Sequence, residues 1–110
     1  MTAPVADIGA LNRRLVLEAP AESGDSAGGV VRSYEATATL WAQITAVAAS
    51  GDVAADSLGA TLRHRIVIRA RNGISTRHRL RDNARIYRIV ALRESAERRF
   101  LEIDAEERVD

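Results

Sequence analysis

The segment from Arg63 to Arg93 alternates arginine with apolar residues, and this pattern restricts the fold more than any other feature of the chain. A period of two residues is typical of a β-strand, because successive side chains of a strand point to opposite faces. The first part of the segment therefore predicts a strand with His64, Ile66, Ile68 and Ala70 on one face, and with Val67 and the arginines on the other.

Six segments carry strand patterns, and turn signals separate the later ones. Asn72-Gly73 and Asp82-Asn83 are tight turn signals, because both asparagine and glycine tolerate positive φ angles. The pattern predicts an all-β fold, a small antiparallel β-barrel of about six strands with long loops and little helix. The predicted strands are Arg13–Glu18, Thr37–Val47, Arg63–Arg71, Arg77–Arg81, Ala84–Arg93 and Arg98–Ala105.

Two stretches rich in small residues are predicted as loops. Residues 22–33 contain three glycines and follow Pro20, which cannot donate a hydrogen bond to a sheet. Residues 48–60 contain Gly51 and Gly59, which limit any helix there to a turn or two. Between these loops, Trp41 stands beside Leu40, so we expect that strand to be packed on one face and covered on the other.

Length and composition predict one domain over residues 1–110, with residues 1–8 as a flexible N-terminus. Apolar residues make up 46% of the chain and charged residues 28%, as in a globular protein. The absence of cysteine excludes a disulfide framework and favours a reducing compartment. No signal peptide is expected, and no apolar run approaches the ~20 residues that span a bilayer, so a membrane is not an expected partner.

Charge is divided unevenly along the chain. Residues 1–60 carry three arginines and seven acids, a net charge of −4, whereas residues 61–110 carry 13 arginines and eight acids, a net charge of +5. Opposite charges on two parts of one small domain suit self-association in a ring at least as well as they suit nucleic acid.

Nothing in the sequence identifies catalytic chemistry, so we expect no catalytic residue, no cofactor, no metal and no enzyme activity. No spacing typical of a nucleophile, a phosphate loop or a metalloprotease occurs. His64 lies on the apolar face of its strand and is predicted to be a core histidine. His78 stands between Arg77 and Arg79 and is predicted to be exposed.

The arginine face of the third predicted strand has two interpretations. Its arginines repeat every two residues, about 6.6 to 6.8 Å apart, which is close to the phosphate spacing of a nucleic-acid strand. Alternatively, acids on adjoining strands pair with them, and the face is solvated or meets another subunit. The arginines are Arg63, Arg65, Arg69 and Arg71, and the acids are Asp82, Glu94, Glu97, Glu102 and Asp104.

Three motifs, in this order, resemble the phage head-tail joining proteins, also called head closure or stopper proteins, including their counterparts in phage-like gene transfer agents. The motifs are "IGALNRRLVLEAP", "GGVVRSYEATATLWAQI" and "LRHRIVIRARNGISTRHRLRDNARIYRIVAL". The resemblance extends from Ile8 to about Glu106. The chain departs from it at Asp82-Asn83-Ala84, where the family often has Gly-Gly, and this departure puts the form of the tight turn in doubt.

The resemblance implies a non-enzymatic subunit of a homo-oligomeric ring of six or twelve copies in the neck of a virion or phage-like particle. A portal or adaptor protein would lie above the ring and a tail terminator or tail tube protein below it, with packaged double-stranded DNA in the channel. The ring would close the filled head and dock the tail, and the chain would be made in the bacterial cytoplasm.

In such proteins a loop is thought to project into the channel, and residues 22–33 and 48–60 are both candidates here. The second loop is preferred, because its aspartates would repel phosphate and its small residues permit close packing in a ring. Its candidate residues are Gly51, Asp52, Asp56, Ser57 and Gly59. The alternative to the connector is an OB-like or SH3-like nucleic-acid-binding module that uses the face of Arg63, Arg65, Arg69 and Arg71.

Overall fold

The computed structural model describes residues 10–24, 27–49, 60–95 and 97–109. These residues form six β-strands, and no α-helix is found among them. In particular, the described residues contain no helix that is long and apolar enough to cross a membrane. The strands are β1 (Arg13–Gly24), β2 (Val30–Ala49), β3 (Ala60–Arg69), β4 (Arg79–Asp82), β5 (Arg85–Glu94) and β6 (Phe100–Val109).

The six strands form one closed sheet in the order β1-β2-β3-β6-β5-β4, in which β4 pairs with β1. Every pair of neighbouring strands is antiparallel. The predicted all-β barrel is therefore confirmed. Closure gives every strand of the ring a paired neighbour on each side, which reduces the unpaired strand edges on which open sheets aggregate.

The core fills the inside of the barrel and follows the period-2 pattern. Ile66 on β3 stands opposite Ile103 on β6, and both are fully buried. Leu15 on β1 and Leu80 on β4 are also fully buried and belong to the same cluster. Each apolar side chain that is removed from water in this way stabilises the fold by about 1.5 to 3 kcal/mol.

The predicted flexible loop at residues 22–33 is wrong for most of its length, because β1 and β2 continue as a long hairpin. Pairing runs without interruption from Glu18↔Ala36 to Gly24↔Val30. We call residues 19–24 and 30–35 the arm. Pro20 is tolerated there because β4 pairs with β1 only as far as Glu18, so one side of the strand beyond that point lacks a partner from β4.

The molecule is elongated. The longest dimension is 53 Å and the radius of gyration is 15.5 Å, whereas a compact domain of this length has a radius of gyration of about 13 Å. The exposed Val30 at the outer end of the arm is in keeping with a projection that has little protein around it.

Both predicted tight turns are present. Gly73 has a φ of 87° and Asn83 a φ of 55°, the left-handed region that these residue types tolerate. Asn83 and Ala84 form a two-residue connection between the paired residues Asp82 and Arg85. The tight turn that the resemblance left in doubt is therefore made by Asn83 and Ala84.

Candidate interaction surfaces

The four arginines predicted as one basic face do not form a continuous charged track. Arg63 lies 3.9 Å from Glu106, and Arg65 lies 3.9 Å from Asp104, each across the β3–β6 pair. Arg69 is exposed at the end of β3, and Arg71 lies beyond that strand, which ends two residues earlier than predicted. Two of the four charges are therefore matched by acids of the same chain.

Ion pairs continue across the neighbouring strands of the same outer wall. Arg93 on β5 donates two hydrogen bonds to Asp104, at 2.9 and 3.3 Å, and its Nε lies 3.3 Å from Glu102. The hydrogen bonds from Arg93 hold the pKa of Asp104 below its ordinary value, against the opposing effect of burial. The wall is thus a set of cross-strand ion pairs, as the second interpretation of the arginines expected.

Glu18, near the root of the arm, is a buried carboxylate that no sequence pattern indicates. Its two oxygens accept hydrogen bonds of 2.7 Å from Nε of Arg79 and from Nε of Arg81, both on β4. Burial raises the pKa of Glu18, but the hydrogen bonds from Arg81 and Arg79 outweigh it and leave the pKa lowered. This cluster joins β1 to β4 at the place where the arm leaves the barrel.

A second buried carboxylate, Glu107, closes a network inside the barrel. It accepts two hydrogen bonds of 2.7 Å from Arg85 and lies 3.0 Å from Nε2 of His64. The hydrogen bonds from Arg85 lower the pKa of Glu107, and the same contact raises that of Arg85. His64 is 6% exposed and makes an edge contact with Tyr87, so its predicted place in the core is confirmed.

Trp41 forms an exposed aromatic surface on the outside of the barrel. It is 55% exposed, so the expectation that both faces of its strand are covered is wrong within the described chain. Arg14 lies over its ring at 5.4 Å, and Trp41 lines a shallow hollow together with Leu11, Asn12 and Arg69. Beneath the hollow, Leu11 packs in a small outer cluster, whose other members are Val67 and Phe100.

The second histidine is not exposed as predicted. His78 is half-buried, and its Nδ1 accepts a 3.2 Å hydrogen bond from the backbone N–H of Ser75. The preceding turn brings this backbone N–H back towards the ring. The prediction of an exposed ring was based on the neighbouring arginines and did not take this turn into account. In the residues that the structure describes, no three histidine, aspartate or glutamate side chains are grouped closely enough to hold a metal ion.

The preferred loop candidates, Gly51, Asp52, Asp56, Ser57 and Gly59, lie outside the described residues. Among the described residues, the candidate interaction surfaces are therefore the paired charges of the outer wall, the hollow at Trp41 and the arm. An exposed tryptophan beside a hollow, and arginines that are paired with acids of the same chain, favour the class of proteins that bind other proteins.

Comparisons with known proteins agree with that class. The family model described as phage head completion protein matches residues 6–108. A chain from the solved virion of a native gene transfer agent particle is 34% identical, with a TM-score of 0.76 over 90% of this chain and 96% of that one. Protein SF1141 from Shigella flexneri 2a, solved in solution, is 25% identical, with a TM-score of 0.69 over 92% of this chain and 96% of that one.

The comparison with curated proteins finds no match. The family model nevertheless spans most of the chain, and the protein therefore belongs to the phage head completion protein family. Its role is structural, in a phage-type head, and it is a component of a virion or phage-like particle.

Proposed function

We propose that this chain forms a homo-oligomeric ring at the neck of a phage-like particle. There it closes the DNA-filled head below the portal and its adaptor, and it offers a docking surface to the tail terminator or tail tube. The observation that carries the proposal is the match to the head completion family over residues 6–108, together with the similar chain in a gene transfer agent virion. The chain acts by binding other proteins and performs no reaction.

The exterior of the barrel supports this role better than it supports the alternative nucleic-acid module. A nucleic-acid track needs cations that are free to neutralise phosphates. Arg63 and Arg65 instead face acids of their own chain. In this role, packaged DNA passes through the ring without contacts that recognise its base sequence.

Deletion of the gene from a strain that produces particles tests the proposal. We expect electron microscopy to show tailless heads, either filled or empty after leakage, beside free tails, because heads would be neither closed nor able to join tails. Complementation with the wild-type gene restores tailed particles. Intact tailed particles from the deletion strain would contradict the proposal.

The exposed Trp41 supplies a finer prediction in the same strain. A largely exposed tryptophan contributes little to its own fold but is the residue type that most often dominates protein interfaces. The Trp41→Ala substitution is expected to change the free energy of unfolding by less than about 1 kcal/mol, the scale of its exposed contact with Arg14. The yield of tailed particles is expected to fall at least about tenfold, the effect of losing an interface hot spot.

Thr39→Ala is the matched control for this test, because Thr39 is exposed on the same strand and the same face, two residues away. Tailed particles should form normally with it. A normal yield with Trp41→Ala as well would show that the hollow at Trp41 contacts no essential partner.

A further inference from the structure

A polar pocket lies at the root of the arm. Pro20 and Tyr34 of the arm line one side, and Arg79 and Arg88, on the neighbouring strands β4 and β5, line the other. We call this site the root pocket. Its remaining lining residues are Thr76, Arg77 and His78.

The root pocket carries more positive charge than its own chain neutralises. Arg79 and Arg88 stand directly opposite each other across β4 and β5, an arrangement that destabilises a sheet when both charges are alike. The nearby carboxylate, Glu18, is already bound by both Arg79 and Arg81. Glu106 stands opposite Arg88 across β5 and β6, but its carboxylate lies beside Arg63, and no ion pair of Arg77 or Arg88 is found in the described part of the chain.

The groups around the pocket are arranged as hydrogen-bond donors. The guanidinium of Arg79 stacks on the Tyr34 ring at 3.9 Å, which restricts its orientation. Since Nδ1 of His78 accepts a hydrogen bond from Ser75, the proton of a neutral ring is on Nε2, which becomes a further donor. Fixed guanidinium groups bind carboxylate or phosphate oxygens in pairs, so the complementary ligand is an anion of this kind.

The rest of the surface favours a carboxylate over the phosphates of DNA. A protein that binds a duplex neutralises several phosphates in succession. On the adjoining outer wall, Arg63, Arg65 and Arg93 already face acids of β6. The root pocket is therefore an isolated cationic site with no continuing track, which suits a single acidic side chain of a protein.

The chain itself presents such a side chain on the arm. Glu35 is exposed, and no ion pair to it is found among the described residues. The neighbouring cross-strand pairs Pro20↔Tyr34 and Ala19↔Glu35 point to opposite faces of the hairpin. Glu35 therefore points away from the pocket of its own copy, and a contact between the two sites must join different copies.

We propose that the root pocket binds a carboxylate of a second copy of this chain, supplied by Glu35 on the opposite face of the neighbouring arm. Because donor and acceptor sites lie on different faces, the contact is head-to-tail and closes into a ring when the rotation between copies permits. The inference rests on the ring of the proposed function and names the surfaces that would build it.

Cross-linking between two single-cysteine variants tests the contact, because the chain has no native cysteine. Ser33→Cys lies on the same face of the arm as Glu35, and Thr76→Cys lies at the pocket, so both charged partners remain intact. The two purified variants are mixed at high concentration with a short bismaleimide. A covalent heterodimer is expected, and every such product must join two copies.

Charge reversal then identifies the side chains responsible. Arg88→Glu in the Thr76→Cys variant, or Glu35→Arg in the Ser33→Cys variant, is expected to lower the heterodimer yield at least about tenfold, because like charges then meet. The two reversals together are expected to restore it. Arg71→Glu is the control, because Arg71 is exposed but does not line the root pocket, and it should leave the yield unchanged.

Two outcomes overturn the inference. The first is the absence of heterodimer both in the concentrated mixture and in particles from a strain that expresses both variants. The second is binding of the wild-type chain to a DNA duplex that Arg88→Glu abolishes, which would assign the pocket to phosphate. If no heterodimer forms but the deletion strain makes tailless heads, only the proposal for the root pocket is overturned. If the heterodimer forms but the deletion strain makes normal tailed particles, the proposed function is overturned.

Discussion

Replacement of Ile103 by alanine is expected to lower the free energy of unfolding by about 3 kcal/mol, within the range of 2 to 5 kcal/mol for such truncations in a core. Ile103 is fully buried on β6, between Ile66 on β3 and Leu92 on β5. The closed ring of strands restricts collapse around the missing atoms, so a cavity remains. Urea unfolding followed by circular dichroism measures the change as a midpoint lower by about 2 M, for a slope of about 1.5 kcal/mol per molar urea.

Val47→Ala is the control for Ile103→Ala. Val47 also lies on a barrel strand, but it is 56% exposed, so its truncation leaves no cavity. We expect the free energy of unfolding to change by less than about 1 kcal/mol, because strand propensities differ by no more than this among residue types. Equal effects of the two substitutions would mean that the barrel interior is not packed as described.

Replacement of Glu107 by alanine is expected to cost about 2 kcal/mol at pH 7. The carboxylate is 8% exposed and accepts both hydrogen bonds from Arg85, and its loss also leaves His64 without a partner at Nε2. Breaking a fully buried pair costs about 3 to 5 kcal/mol, but the side chain of Arg85 is 50% exposed and regains water in the variant. The expected loss is correspondingly smaller.

The same substitution has a predicted dependence on pH. Because the folded pKa of Glu107 is lowered, mainly by Arg85, its contribution to stability is complete above the unfolded value near 4.5 and is lost as pH falls through the folded value. The stability difference between the wild-type chain and Glu107→Ala should therefore shrink when the unfolding measurements are repeated towards pH 3.

Glu106→Ala is the adjacent control, since Glu106 points outward and its contact with Arg63 is 3.9 Å long. A surface pair of this kind contributes about 0 to 1 kcal/mol. If the substitution of Glu107 cost no more than that of Glu106, the buried network would not stabilise the barrel.

The barrel could be predicted from the sequence because alternation of apolar and polar residues reports directly which side chains face the core. Of the four residues that the alternation places on the inner face, His64, Ile66 and Ile68 are buried. Ala70 lies beyond the end of β3 and is exposed, and Val67, on the opposite face, is buried in the outer cluster, so the prediction is wrong at these two positions. Both tight turns followed from asparagine and glycine, whose tolerance of positive φ is local to the residue.

The arm could not be predicted in this way, because its glycine, serine and alanine residues have weak strand preferences. They are held in strands by continuation of the β1–β2 ladder out of the barrel, which is a tertiary effect. The buried carboxylates escaped prediction for a related reason. Glu18 finds its arginines 61 and 63 residues further along the chain, and no local spacing reports such a pairing.

No catalytic motif indicates the function. The family is indicated by the order of three motifs along the chain, each of which is degenerate by itself. The acidic loop candidates at residues 51–59 remain a prediction, as does the copy number of the ring. The surfaces that the structure adds, the hollow at Trp41 and the root pocket, combine residues from separate strands, so neither was visible as a sequence pattern.

The position of the chain in the particle is measured most directly by a cryo-electron microscopy reconstruction of the neck of particles from a producing strain. We expect a closed ring of six-stranded barrels between the portal with its adaptor and the tail, identified by side-chain density for Trp41, Tyr34 and Tyr87. A neck without this barrel, or the barrel found only elsewhere in the particle, would show that the chain is not the subunit that closes the head.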